Sequence, residues 1–420
     1  MIVFGALALM GFFFFSTYDS TTEIEKNAIV GRVVIWGTLD SDIMVPLLNT
    51  LKSKNSYLND VVYVEKSVSR YNKDLLEALA SGNSPDLILV SNRDVFENLN
   101  KIQIIGPNNY LIRDFNNNFA DAFSVFTNSQ GVIAIPFIID PMVLYYNKKM
   151  FATAAIPLPP KNWEEFYRLV DKITELDRNN NIKKTAVAFG ETINVSNFEY
   201  LLSTLFLQAG DPIVYEGKNG YRAIVNKKNN LGKILTYYTS FSNPTSKAYS
   251  WNRSLPDSLD FFLSESLATY FGFVSDIKNI RLKNPNLNFD VAEIPGYRGS
   301  KNKTVFARVW GFAIPKAAKN KGGAFKVALE LTSKPAQTFL SEKMFLPPVR
   351  KEMLANRHND PFMDIFYREA IYARSFIDPN FSETKKIFKD MVQAVSSNRR
   401  KPKEAIIDGF KELDLILEGN

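Results

Sequence analysis

The sequence predicts an α/β protein built from more than one compact unit, and three observations carry that reading. The chain has 420 residues, enough at roughly 100–200 residues per domain for two or three units. Hydrophobic residues make up 45% and charged residues 23%, which is the composition of a folded globular chain and excludes wholesale disorder or a collagen-like repeat. Finally, the residues from Gly31 to Val90 alternate strand, helix, strand, helix and strand signals, the order that builds a parallel sheet with right-handed crossovers.

In that stretch, Gly31 to Gly37 is a β-branched apolar run that breaks at glycine, as a buried parallel strand does before a helix. Ile43 to Lys54 is the matching helix, Asp60 to Glu65 the second strand, Tyr71 to Ser81 an amphipathic helix, and Ser84 to Val90 a third strand. Further on, Gly131 to Pro136 and Val143 to Asn147 read as two short strands separated by Phe137 to Pro141. Asn162 to Leu176 reads as a helix capped by Asn162, with Glu164 and Glu165 in its first turn. Phe198 to Gly210 and Leu231 to Phe241 read as helices; Leu259 to Glu265 leads into Leu267 to Gly272, which with Phe289 to Pro295 and Trp310 to Pro315 reads as a strand. Ala324 to Leu340 is helical with a break or kink expected at Pro335, and Ser382 to Leu417 is helical in two pieces around the basic stretch Ser396 to Arg400.

Several chemistries are poorly supplied. There is no cysteine, which removes disulfides, thiol nucleophiles, thiolate metal sites and a lipid-anchoring thiol. The only histidine, His358, lies in a polar loop-like stretch without a second histidine, so no metal or cofactor site is expected. Asp177 to Asn181 resembles the start of a calcium loop, but Ile182 and Ala188 stand where such a loop needs glycine and glutamate, so a turn is expected. The 51 Lys and Arg exceed the 44 Asp and Glu by 7, yet they are interleaved with acids, which is a solvated surface and not a nucleic-acid footprint.

The amino-terminal run Ile2 to Phe15 is continuously apolar apart from glycines. Through Tyr18 it reaches roughly 25 Å as a helix, against a hydrocarbon core of about 30 Å. No Lys or Arg precedes it and no small-x-small site follows, so residues 1–18 are read as a membrane anchor or uncleaved signal and 19–29 as a tether. That places residues 30–420 outside the cytoplasm.

The order of signatures resembles the family 1 extracellular solute-binding proteins of bacterial ABC importers, the branch that includes maltose-binding protein. Val33 to Thr38 looks like the family's first strand with its Trp-Gly exit, and Ser81-Gly82-Asn83-Ser84-Pro85-Asp86-Leu87 like its Ser-Gly-x-x-Pro-Asp-Leu step. Pro136 to Asn147, followed by Pro159-Pro160-Lys161-Asn162-Trp163-Glu164-Glu165-Phe166, resembles its hinge strand and helix start. Trp310 to Lys316, Leu331 to Lys334 and Leu346 to Arg350 resemble its carboxyl-terminal series. Two departures stand out: Ser264 occupies a glycine position of the family, and the lipid-anchoring cysteine is missing. The resemblance implies a periplasmic-binding-protein-like fold of two discontinuous α/β lobes joined by a hinge and closing on a ligand. Lobe one would be residues 30–138 with 296–340, and lobe two 139–295 with 341–420.

It also implies a carbohydrate ligand, an ABC permease as partner and no catalysis; a monomer is expected for residues 30–420 because the remaining helices read as amphipathic and no other run is long enough to span a bilayer. Trp36, with Thr38 and Asp40 just beyond, stands at a strand's carboxyl end, where open α/β sheets bind ligands. Asn92, Arg93 and Asp94 follow the strand ending at Val90. Asp140 puts a carboxylate into an apolar hinge, where maltose-binding protein has a ligand-contacting acid. Arg308 and Trp310 sit on a returning strand, Tyr270 and Phe273 flank a turn expected at Gly272, and Trp251 is a loop aromatic able to close over a ligand. Trp163 is assigned to packing. The alternatives are a non-sugar solute such as a polyol phosphate or peptide, with Arg93, Arg253 or Arg308 as anion clamp, and a glycoside hydrolase pairing Asp140 with Asp94.

Overall fold

A computed structural model describes residues 30–223, 225, 231–300 and 303–419. The apolar leader and its tether lie outside the described residues, and among those described no helix is long and apolar enough to cross a membrane.

The chain packs as two compact units. The first takes the described residues up to Leu89 together with Ile314–Ala336. Its strand β1 (Val33–Gly37) is flanked in parallel by β2 (Val61–Glu65) and β3 (Leu87–Ser91), with Ile35 opposite both Tyr63 and Leu87. Helix α1 (Ser41–Lys54) begins where the Asp40 carboxylate accepts a bond from the Asp42 amide at 2.7 Å and buries Met44, Leu47, Leu48 and Leu51. Helix α2 (Tyr71–Ala80) makes the second crossover. The aspartate of the Pro-Asp-Leu step ties this unit together. Buried Asp86 accepts from the amides of Val34 and Asn320, each at 3.0 Å, while the Asn320 side chain caps the helix Lys321–Glu330.

The second unit, Val90–Ala313 with the residues from Gln337 onward, is built on one long strand, β4 (Ile135–Asn147). Of the two short strands expected here, Gly131–Val132 forms a separate hairpin with Thr127–Asn128, and the rest is a single strand that runs through Pro136 and Pro141. Its partners change at the second proline: residues up to Pro141 pair with β8 (Val305–Ala313), and those from Met142 pair with β6 (Leu267–Phe273). A proline lacks the amide hydrogen a ladder needs, so it is tolerated where one ladder hands over to another. Strand β7 (Phe289–Ala292) also pairs with β4, and β5 (Ile182–Val187) lies parallel to β6. Strand β8 begins at Val305, five residues before the sequence reading, and carries a register shift between Trp310 and Gly311.

Two further expectations are corrected. Gly272 is no turn but an interior residue of β6, packed so tightly that a Cβ there would lie 2.5 Å from the Tyr270 ring and 2.7 Å from the Asp276 carboxylate. The helix expected over Asn162 to Leu176 spans only Glu165–Ile173, because Glu175–Leu176 pairs with β5 instead. Asp177 closes the following turn by accepting from the amides of Asn179 and Asn181 at 2.8 and 2.9 Å. Pro335 sits in the first turn of the helix Lys334–Met344, where a missing amide hydrogen costs nothing, and the preceding helix has already ended at Glu330. Helices α3 (Phe198–Gln208), α4 (Pro361–Tyr372), α5 (Phe381–Ser396) and α6 (Pro402–Glu418) also belong to this unit.

Candidate functional site

In the first unit, Trp36 is half-buried on β1 with the Lys66 ammonium 3.7 Å over its ring, a cation–π contact that occupies one face. Thr38 is half-buried just past the strand, and the exposed Asp40 serves as the cap of α1.

In the second unit, the start of β8 and the chain after β3 bring several predicted residues together. Asp140, 2% exposed, stands opposite Arg308 across the β4–β8 ladder and forms an ion pair with its Nη2. Its other bonds come from the Ser275 amide at 3.0 Å and the Ser275 hydroxyl at 2.9 Å, and that hydroxyl accepts from Arg308 at 3.0 Å. Both carboxylate oxygens are thus occupied, and Asp140 orients Arg308. The Arg308 guanidinium lies 3.8 Å over the Phe273 ring and 5.9 Å from that of Trp310.

Arg93 stands close by. Its guanidinium stacks 3.9 Å over Phe381 and lies 5.1 Å from the Tyr200 ring. Burial, reinforced by the like charge of Arg308, pulls its pKa down to about 10. Tyr200 is the hub of the aromatic floor, with ring centroids 5.1 Å from Phe273, 5.0 Å from Phe306 and 6.1 Å from Phe381. Four groups here are buried without a hydrogen-bond partner: the Nε atoms of Arg93 and Arg308, the Tyr200 hydroxyl and Glu199 Oε2. Glu199 Oε1 is held by Lys385 at 3.1 Å. Burying donors and acceptors unpaired is costly, so groups of this kind call for a polar partner.

Other predicted residues play different parts. Buried Asn92 is spent on the scaffold, donating to the Phe376 carbonyl at 3.3 Å and accepting from the Val309 amide at 3.3 Å. Asp94 turns back to accept from the Ser91 amide at 2.6 Å, and burial raises its pKa to about 6. Trp251, expected to close over a ligand from a loop, is fully enclosed instead, its ring edge-on to Phe261 and its Nε1 donating to Asn194 at 3.1 Å. Tyr270 is 3% exposed and donates to Asp276 at 3.2 Å. Arg253 is paired with Glu191 at 3.0 Å. Trp163 packs as expected, stacked on Phe166 and Phe271 with its Nε1 donating to Gln208. His358 is exposed.

Glu199, Tyr200, Ser275, Phe381 and Lys385 escaped the sequence reading. A signal existed for the first two, a Glu-Tyr pair in the opening turn of an otherwise apolar helix. Phe381 and Lys385 begin α5 nearly two hundred residues away, and nothing local marks them.

A family model described as bacterial extracellular solute-binding protein matches residues 49–364, three quarters of the chain. No curated protein matches the sequence. Among solved structures, a cyclo/maltodextrin-binding protein complexed with maltotetraose superposes with a TM-score of 0.74 at 18% identity, covering 91% of this chain and 96% of that one. A cyclic α-maltosyl-1,6-maltose binding protein from Arthrobacter globiformis gives 0.74 at 14% identity, covering 93% and 99%. The sugar-binding protein MalE from Xanthomonas citri gives 0.72 at 17%, covering 92% and 98%. At these identities the likeness establishes a shared fold.

Proposed function

The chain belongs to the bacterial extracellular solute-binding proteins, and on that premise we propose that its solute is a carbohydrate, handed on to the permease of an ABC importer. The observation that carries the ligand class is the set of donors and acceptors at Arg93, Arg308, Glu199 and Tyr200 that have no partner among the described residues, beside the half-buried rings of Phe381 and Trp310. A sugar hydroxyl both donates and accepts, so it satisfies guanidinium and carboxylate alike, while its C–H face suits an aromatic ring. The structural neighbours named for maltotetraose and other sugars support the same class. Trp310 is a further candidate contact in this unit, with Asp140 acting through Arg308.

The reading is of a binding protein without catalysis: the Asp140 and Asp94 carboxylates, the pair a glycoside hydrolase would draw on, are taken up by Ser275, Arg308 and Ser91. The apolar run Ile2 to Phe15 supports attachment to the outer face of the membrane by the amino-terminal segment. A thermal-shift screen of neutral and charged mono- and oligosaccharides, phosphorylated polyols and short peptides tests the ligand class, since a ligand at a hundred times its Kd adds about 2.7 kcal/mol of stability. Stabilisation by peptides and by no sugar would overturn the carbohydrate reading; release of reducing sugar from a bound oligosaccharide would overturn the absence of catalysis.

A further inference from the structure

The charge distribution around Arg93 narrows the ligand further. Among the described residues its guanidinium makes no ion pair, is half-buried against Phe381 and Tyr200, and keeps a buried Nε without an acceptor. A second guanidinium, that of Arg308, adds like charge beside it. The acids of the neighbourhood are committed elsewhere. Asp140 is bound to Arg308 and Ser275, and Glu199 is held by Lys385. Asp94 accepts from the Ser91 amide, and Asp378 accepts from the Thr384 hydroxyl at 2.6 Å and the Asn380 amide at 3.2 Å. Arg308 and Lys385 therefore each have an acid in direct contact, whereas Arg93 feels Glu199, Asp378 and Asp94 only at a distance and pairs with none of them. A guanidinium desolvated on two rings without a carboxylate in contact gains most from a guest that brings one.

We propose that the carbohydrate carries a carboxylate, as uronic acids and their oligomers do, and that Arg93 takes it in the plane of its guanidinium while the half-buried rings of the cluster, Phe381 and Trp310, take the sugar face. The inference rests on reading this cluster as the ligand site. A planar fork matches a carboxylate in two parallel bonds, which a lysine at this position would not do. A carboxylate is favoured over a phosphate because Glu199 and Asp378, both of which act on the charge of Arg93, repel a dianion about twice as strongly as a monoanion.

The test is calorimetric titration of the whole protein with matched pairs: galacturonate and glucuronate and their di- and trisaccharides against the neutral sugars of the same linkage, with glucose 6-phosphate as a third arm. The uronates are expected to bind at least tenfold more tightly than their neutral counterparts, with an advantage that shrinks as salt is raised. Arg93→Met should remove that advantage, a ten- to hundredfold loss for the uronate against a severalfold loss for the neutral sugar, which gives up only an uncharged hydrogen bond, and Arg93→Lys should restore only part of it. The wild-type comparison alone decides the matter if a variant fails to fold. Neutral sugars binding as tightly as uronates would overturn the carboxylate while leaving the carbohydrate reading in place. Preference for the phosphate would overturn it in favour of a dianion. Binding of no sugar of any charge would overturn both readings.

Discussion

Asp140 shows how a residue can be well chosen from sequence and still act differently from its expected part. The sequence placed a carboxylate in an apolar hinge between two strands, and the structure puts it inside the continuous strand β4, 2% exposed, as the counter-charge of Arg308. Asp140→Ala should strip the mostly buried Arg308 guanidinium of its ion-pair partner, leaving only the more distant Asp276, at a cost of about 3 kcal/mol. Urea denaturation measures this, and adding Arg308→Met should recover half or more of the loss, because the stranded charge goes with it. A cost under about 1 kcal/mol for the single variant would show that water replaces the carboxylate without difficulty. The pair was not legible as a pair: Asp140 and Arg308 are 168 residues apart, and only the antiparallel register of β4 and β8 puts them opposite one another.

At the scale of elements, β6 and α4 each make a measurable claim. Gly272 lies in β6 because the rings of Tyr270 and Tyr145 and the Asp276 carboxylate leave no room for a methyl group. Gly272→Ala should therefore destabilise by about 2 kcal/mol through overpacking, read as a lower urea midpoint at unchanged slope. On α4, fully buried Glu369 accepts from the Ile294 amide at 2.6 Å, and burial pushes its pKa up to about 8 despite the pull of Lys303 and Arg368, with Glu293 adding to the rise. The folded chain thus holds a proton that the unfolded chain releases above the ordinary value of 4.5, so this group's contribution falls as pH rises from there through about 8. Glu369→Gln keeps an acceptor oxygen and cannot ionise; its Tm should drop less than that of the wild type between pH 5 and 8.5. An equal drop in both would place the titration elsewhere.

For the whole molecule, the chain from residue 30 onward, made without the apolar leader, is expected to be a monomer in sedimentation equilibrium; a concentration-dependent dimer or membrane pelleting would contradict this. The α/β class, the order of elements and the family resemblance were legible in the sequence because they rest on local patterns: β-branched runs, helix periodicity, and glycine and proline at the ends of elements. Thus β1, α1, β2, α2 and β3 lie within a few residues of their expected positions, and the two-piece tail is α5 and α6. Where the reading failed, a local signal was overruled by a partner far along the chain. Two prolines announced a break, and β4 runs through both because β8 and β6 divide its edge between them. Trp251 stood in a polar sequence, and Asn194 and Phe261 enclosed it. Arg93 was visible as a candidate, but its lack of an anion was not, since that depends on Asp94 bonding to Ser91, Asp378 to Thr384 and Glu199 to Lys385. Local sequence determines which segments fold into which element. Which charges are left unmatched depends on every group within reach in three dimensions, because electrostatic energy depends on separation in space and not on separation along the chain.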